Sequence, residues 1–181
     1  MKKTALLSLF IVLTGFAARA QSIVNASEMI SVNLSNVIEI SFTNTNSNFG
    51  ELISMIFSSP EDFTNGIESR QQELRVRTNK AFNVNVQSKT QDFIYTGNEV
   101  PAPQIPVDET LSIALINNNT GGNAPKGMSN YFGITTESQN LITGGGTGNN
   151  QNYAVKYKAK PNNTIPEGTY AVDLIYTASQ E

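Results

Sequence analysis

Cysteine, histidine and tryptophan are all missing from this chain, and each absence removes a class of function. Without His or Cys there is no Ser-His-Asp or Cys-His nucleophilic machinery. Zinc sites built on those two ligands are excluded as well. No disulfide can form, so the folded state has to be held by burial and strand pairing alone. The missing Trp takes away the largest stacking face a protein can offer a sugar ring. Helix-length amphipathic periodicity is also lacking beyond the first twenty residues. Positive charge is scarce, with twelve Lys and Arg against fifteen Asp and Glu.

Those first twenty residues read as a signal peptide. Lys2 and Lys3 form a positive start, Ala5 to Phe16 an apolar stretch, and Ala18-Arg19-Ala20 a small-residue cleavage site. The apolar stretch is too short to span a bilayer as a permanent helix, and no cysteine follows it to carry a lipid. The expected organisation is therefore a leader, 1–20, and a single domain, 21–181, exported to the periplasm, the outer surface or the medium. Removing Lys2, Lys3 and Arg19 leaves nine basic residues against fifteen acidic, a net charge of −6. Nucleic acid and anionic membrane surfaces favour the opposite balance, so neither is an expected partner.

What is present is alternation. Tyr153, Val155 and Tyr157 alternate with Lys156, Lys158 and Lys160, and Tyr170, Val172, Leu174 and Tyr176 oppose Ala171, Asp173 and Thr177. A period of two places each set on one face of a β-strand. Turn residues Pro161, Asn162, Asn163, Pro166 and Gly168 separate the two runs. Upstream, Ile30, Val32 and Leu34 alternate, then Ile38, Ile40 and Phe42. Leu52 to Phe57 is a compact apolar run whose length favours a strand over a helix, and Pro60 to Gly66 reads as a loop with Phe63 tucked onto the core. Leu74 and Val76, joined through Asn79-Lys80 to Phe82, Val84 and Val86, suggest a hairpin. Phe93 and Tyr95 mark a short strand, Val100 to Pro106 an extended crossover, and Leu111, Ile113 and Leu115 a further strand. Asn117 to Gly127 and Gly144 to Asn152 are Asn/Gly-rich loops. The expectation is an all-β, Ig-like Greek-key β-sandwich of about nine to ten strands.

Few residues invite chemistry. The carboxylates are spread thinly, with no pair of the glycosidase kind evident, so no catalytic residue is assigned and the chain is read as a non-enzyme. The glycines of Thr143 to Gly148 lead into a strand rather than a helix, which excludes a phosphate cradle. Oxygen-rich loops at Asn117 to Asn123 and Pro106 to Glu109 lack any regular calcium-binding spacing, and no metal or cofactor is expected. Arg70, Arg75, Arg77 and Lys80 read as a charged wet face or a guarded edge, and the triple lysine likewise, with Asp173 as a cross-strand partner. Tyr95, Tyr131, Phe132 and Tyr153 are candidate glycan contacts, Tyr131 and Phe132 lying between the two polar loops, with Tyr95, Tyr131 and Phe132 preferred.

A likeness rests on Phe82-Asn-Val-Asn-Val, on Tyr153-Ala-Val-Lys-Tyr-Lys-Ala and on Pro166-Glu-Gly-Thr-Tyr-Ala-Val-Asp-Leu-Ile-Tyr-Thr-Ala. The chain resembles small secreted β-sandwich surface proteins of Gram-negative bacteria, of the Bacteroidetes type, that end in a GTY…YTA strand. It is loosely similar to fimbrial subunits. The resemblance is close only over the last thirty residues and implies fold and compartment, not an activity. Chaperone-assembled pilus subunits complete one another by strand addition. Their pattern carries a Gly fourteen residues from the C-terminus, where this chain has Gly168, and alternating apolar residues after it, here Tyr170, Val172, Leu174 and Tyr176. It departs from the pattern in having Gln180 rather than Tyr in the penultimate place and no disulfide. A donor arm would come from Ser22 to Leu34, through Ile30, Val32 and Leu34. The expected function is a non-enzymatic surface structural or adhesive protein with itself or other surface subunits as partner; the alternative is a carbohydrate-binding module.

Overall fold

The computed structural model describes residues 28–125 and 130–181. The chain divides into two units, Met1–Leu34 and Ser35–Glu181. The expected signal peptide and the first part of the expected donor arm lie outside the described residues, as do residues 126–129, which include the end of the first Asn/Gly-rich loop. Residues 28–34, expected to hold a strand, form none, and their side chains are exposed.

The second unit is an all-β sandwich of antiparallel sheets, with eleven strands among the described residues. Its centre is β9 (Gly148–Ala159), the longest strand, which places Tyr153, Val155 and Tyr157 inward and Lys156 and Lys158 outward. β9 pairs on one side with β3 (Gln72–Thr78) and with β2 (Ile67–Glu68), and on the other with β6 (Leu111–Asn118). β1 (Ile38–Phe42) borders β3, and β7 (Phe132–Gly133) borders β6. The facing sheet runs β11 (Leu174–Gln180), β4 (Phe82–Ser88), β8 (Gln139–Gly145). A two-stranded ribbon joins β5 (Ile94–Thr96) to β10 (Thr169–Ala171). Two short helical segments, α1 (Pro60–Asn65) and α2 (Val107–Thr110), complete the unit. Among the described residues no helix is long and apolar enough to cross a membrane.

The core is what the alternation requires: Leu74 and Val76 of β3, Phe82, Val84 and Val86 of β4, Ile113 of β6 and Leu141 and Ile142 of β8 are fully buried. Three expectations need correction. β3 and β4 are not a hairpin but lie in opposite sheets. Alternation alone cannot tell the two apart; the Thr78 hydroxyl, bonded to both the N–H and the C=O of Lys80, shapes the turn that takes the chain across. The glycine-rich stretch 144–152 is mostly strand, with only Gly146 and Thr147 outside β8 and β9. Gly145 is there because a Cβ would stand 2.5 Å from the Phe82 ring.

Pro60 to Gly66 is largely helical rather than a loop. Ser59 caps α1, its hydroxyl accepting from the Asp62 N–H while the Asp62 carboxylate accepts from the Ser59 N–H at 2.8 Å, a reciprocal capping box. Pro60 suits the first turn, where its missing N–H costs nothing, and Gly66 at φ 75 ends the helix. Six residues are too few to show helical periodicity. Phe63 packs on Phe57, with ring centroids 5.2 Å apart.

Candidate functional site

Burial falls off sharply toward one side of the sandwich. In the β4 sheet, Val86, Val84 and Phe82 are fully buried, whereas their cross-strand partners on β11, Tyr176, Ala178 and Gln180, are only half-buried. The other sheet repeats this. Leu74 and Val76 of β3 are sealed, and their partners on β1, Phe42 and Ile40, are half-buried. Both half-covered strands lie on the same side, since Phe42 meets Tyr176 edge-on at 6.1 Å. The Gln180 amide also donates to the Val37 carbonyl at 2.9 Å and the Thr78 hydroxyl at 3.0 Å. No ladder joins β1 to β11 among the described residues. The result is an apolar seam between the sheets.

β11 is an unusual edge. All seven of its residues pair with β4 in unbroken register, and among the described residues nothing pairs with its other side. Edge strands are normally blunted by charge, Pro or a bulge. Leu-Ile-Tyr-Thr-Ala-Ser-Gln carries none of these. By contrast Glu39, on β1, forms an ion pair with Arg77 at 3.4 Å.

The residues singled out for strand exchange divide between two places. Leu174 and Tyr176 lie on β11 and face the seam, and Val172 packs against the core just before it. Gly168 and Tyr170 belong to the ribbon. A Cβ on Gly168, at φ 154, would stand 2.3 Å from the Tyr95 ring, so glycine is required there by tyrosine packing. Tyr170 packs on Tyr95 with the rings tilted and their centroids 5.0 Å apart, and the two phenols donate to the carbonyls of Pro166 and Glu167. Ile30, Val32 and Leu34 are 80%, 74% and 90% exposed. No family model matches this chain, and no characterised protein matches it significantly.

The glycan candidates are not brought together. Tyr95 sits in the ribbon, whereas Tyr131 and Phe132 stand beside β6, where Phe132 pairs with Ile113. Burial, and after it the neighbouring Glu68 carboxylate, pushes the Tyr131 phenol up to about 12, and Lys158 Nζ stands 5.8 Å from its ring centroid. The Tyr131 ring thus already has a cation of the chain's own against it. The lysines of β9 find Glu68 rather than Asp173: Lys156 Nζ is 3.8 Å from Glu68, and Asp173 pairs with Lys89 at 3.2 Å.

The apolar run Leu52 to Phe57, expected as a strand, forms none. Ile53, Met55 and Phe57 are half-buried and Leu52 and Ile56 exposed, but the segment joins no sheet. The alternation is real; the hydrogen bonds are elsewhere.

Proposed function

We propose that this is an exported, non-enzymatic structural subunit that joins a second copy of itself by strand addition at β11. The observation that carries this reading is the unguarded β11 edge beside a half-covered apolar seam. An added strand would satisfy the outward backbone groups of Leu174–Gln180 and lay alternate side chains into the seam. Residues 28–34 have the matching chemistry, with Ile30, Val32 and Leu34 exposed at a period of two, the same period as Leu174, Tyr176 and Ala178. The leader-like start and the likeness to secreted surface proteins support the compartment. The lack of His and Cys supports the absence of nucleophilic catalysis.

Fully burying an Ile or Val side chain stabilises by about 1.5–3 kcal/mol. Replacing Ile30 and Val32 together with Asp therefore removes roughly 3–6 kcal/mol of association free energy, a hundredfold or more in affinity. The expected outcome is loss of oligomers on sizing and cross-linking, with circular dichroism and the unfolding midpoint unchanged. Oligomers that persist in the double variant, or a wild-type chain that stays monomeric at every concentration, would overturn the proposal.

A further inference from the structure

The segment Gly50–Phe57 begins at the seam: a Cβ on Gly50 would stand 3.1 Å from the Phe42 ring, and Phe42 in turn meets Tyr176 of β11. From there Ile53 and Met55 pack on the core, whereas Leu52 is 92% and Ile56 75% exposed. Among the described residues no backbone N–H or C=O between Gly50 and Phe57 is hydrogen-bonded to protein. Backbone polar groups that are neither paired nor buried are left to water. The segment is thus held by side chains alone: the two half-buried aliphatics, the Phe57–Phe63 contact and an exposed Glu51–Arg70 ion pair. Such a stretch belongs to the low-stability end of a fold, where local opening is cheap. Replacing it by a strand that pairs with β11 exchanges side-chain contacts for a full ladder as well as apolar burial.

We infer that Gly50–Phe57 is a displaceable cover, which shields the seam in the lone molecule and swings away when the strand of a second copy adds to β11. This rests on the strand-addition reading and goes beyond it by naming what yields. It also accounts for a sequence that alternates as a strand yet forms no ladder. Opening costs few hydrogen bonds, and the flanking α1, fixed by its own cap, provides a hinge-like stop at Ser59.

The cysteine-free sequence makes the test clean. The acceptor is the full chain carrying Ile30→Asp and Val32→Asp, so that it cannot donate to itself, with Met55→Cys as the single thiol. The probe is a synthetic peptide of residues 25–36. At saturating peptide the thiol should react at least tenfold faster with a maleimide, and β11 amides should gain hydrogen-exchange protection. A Leu52→Cys control, already exposed, should not change. If β11 gains protection while the Met55→Cys thiol reacts no faster, the cover is overturned and strand addition stands. If the peptide leaves β11 unprotected, strand addition itself falls and the cover with it. Ile53→Cys repeats the measurement where Met55→Cys impairs folding.

Discussion

A single capping residue shows how local chemistry fixes the end of the cover. Ser59 accepts from the Asp62 N–H, and the Asp62 carboxylate receives the N–H groups of Ser58 and Ser59. Those backbone donors hold the Asp62 carboxyl below its ordinary value. A carboxylate with a depressed value in the folded state stabilises above the unfolded value and loses that contribution as pH falls through the folded one. Ser59→Ala should cost about 1 kcal/mol, read as a lower urea midpoint at unchanged slope. Asp62→Asn should flatten the acid side of the stability profile relative to wild type. If Ser59→Ala leaves the midpoint where it was, α1 is not held by its cap.

At the scale of elements, the difference between sealed and half-covered strands can be weighed directly. Ile113 on β6 is fully buried, whereas Ile40 on β1 is half-buried at the seam. Ile113→Ala should cost about 2–5 kcal/mol, and Ile40→Ala roughly half of that, because its side chain gives up less buried area. Equal losses in denaturant unfolding would mean that β1 is as closed as β6. The alternation that made β3, β4, β9 and β11 legible in the sequence works because one face of each meets a continuous apolar core. It carries no information about which sheet a strand enters, and so a crossing such as that between β3 and β4 has the same pattern as a hairpin. Two-residue strands such as β2 and β7 are too short to alternate and escape a reading by period, whereas the runs at 28–34 and 52–57 carry the pattern and form no strand. The seam was invisible for a further reason. Tyr170, Val172, Leu174 and Tyr176 form one apolar stripe in the sequence, but the break at Val172 and Asp173 sends Tyr170 to the ribbon and leaves Leu174 and Tyr176 at the edge.

For the whole molecule, with no disulfide to tie the sheets together, tyrosines on both sheets do part of that work. The phenols of Tyr157 on β9 and Tyr176 on β11 meet at 2.6 Å across the sandwich. The buried Tyr153 phenol finds no hydrogen-bond partner among the described residues. Burial pushes Tyr157 up to about 12, and Tyr153 and Tyr176 well above the ordinary 10.0, with neighbouring phenols adding to the effect on the last two. A phenol with a raised value in the folded state contributes stability that is full below the unfolded value and disappears as pH climbs through the folded one. Stability should therefore fall from pH 10.0 upward, with these three tyrosines ionising together with loss of structure. Ultraviolet titration of phenolate followed alongside circular dichroism tests this. Late phenolate should appear in one cooperative step coincident with unfolding, and Tyr157→Phe should remove one phenol from that step while weakening the cross-sheet tie. Phenolate from all six tyrosines rising near pH 10.0 in a still-folded protein would show instead that water reaches the seam deeply enough to bathe Tyr176, which would make the interior between β1 and β11 open in the lone molecule rather than covered.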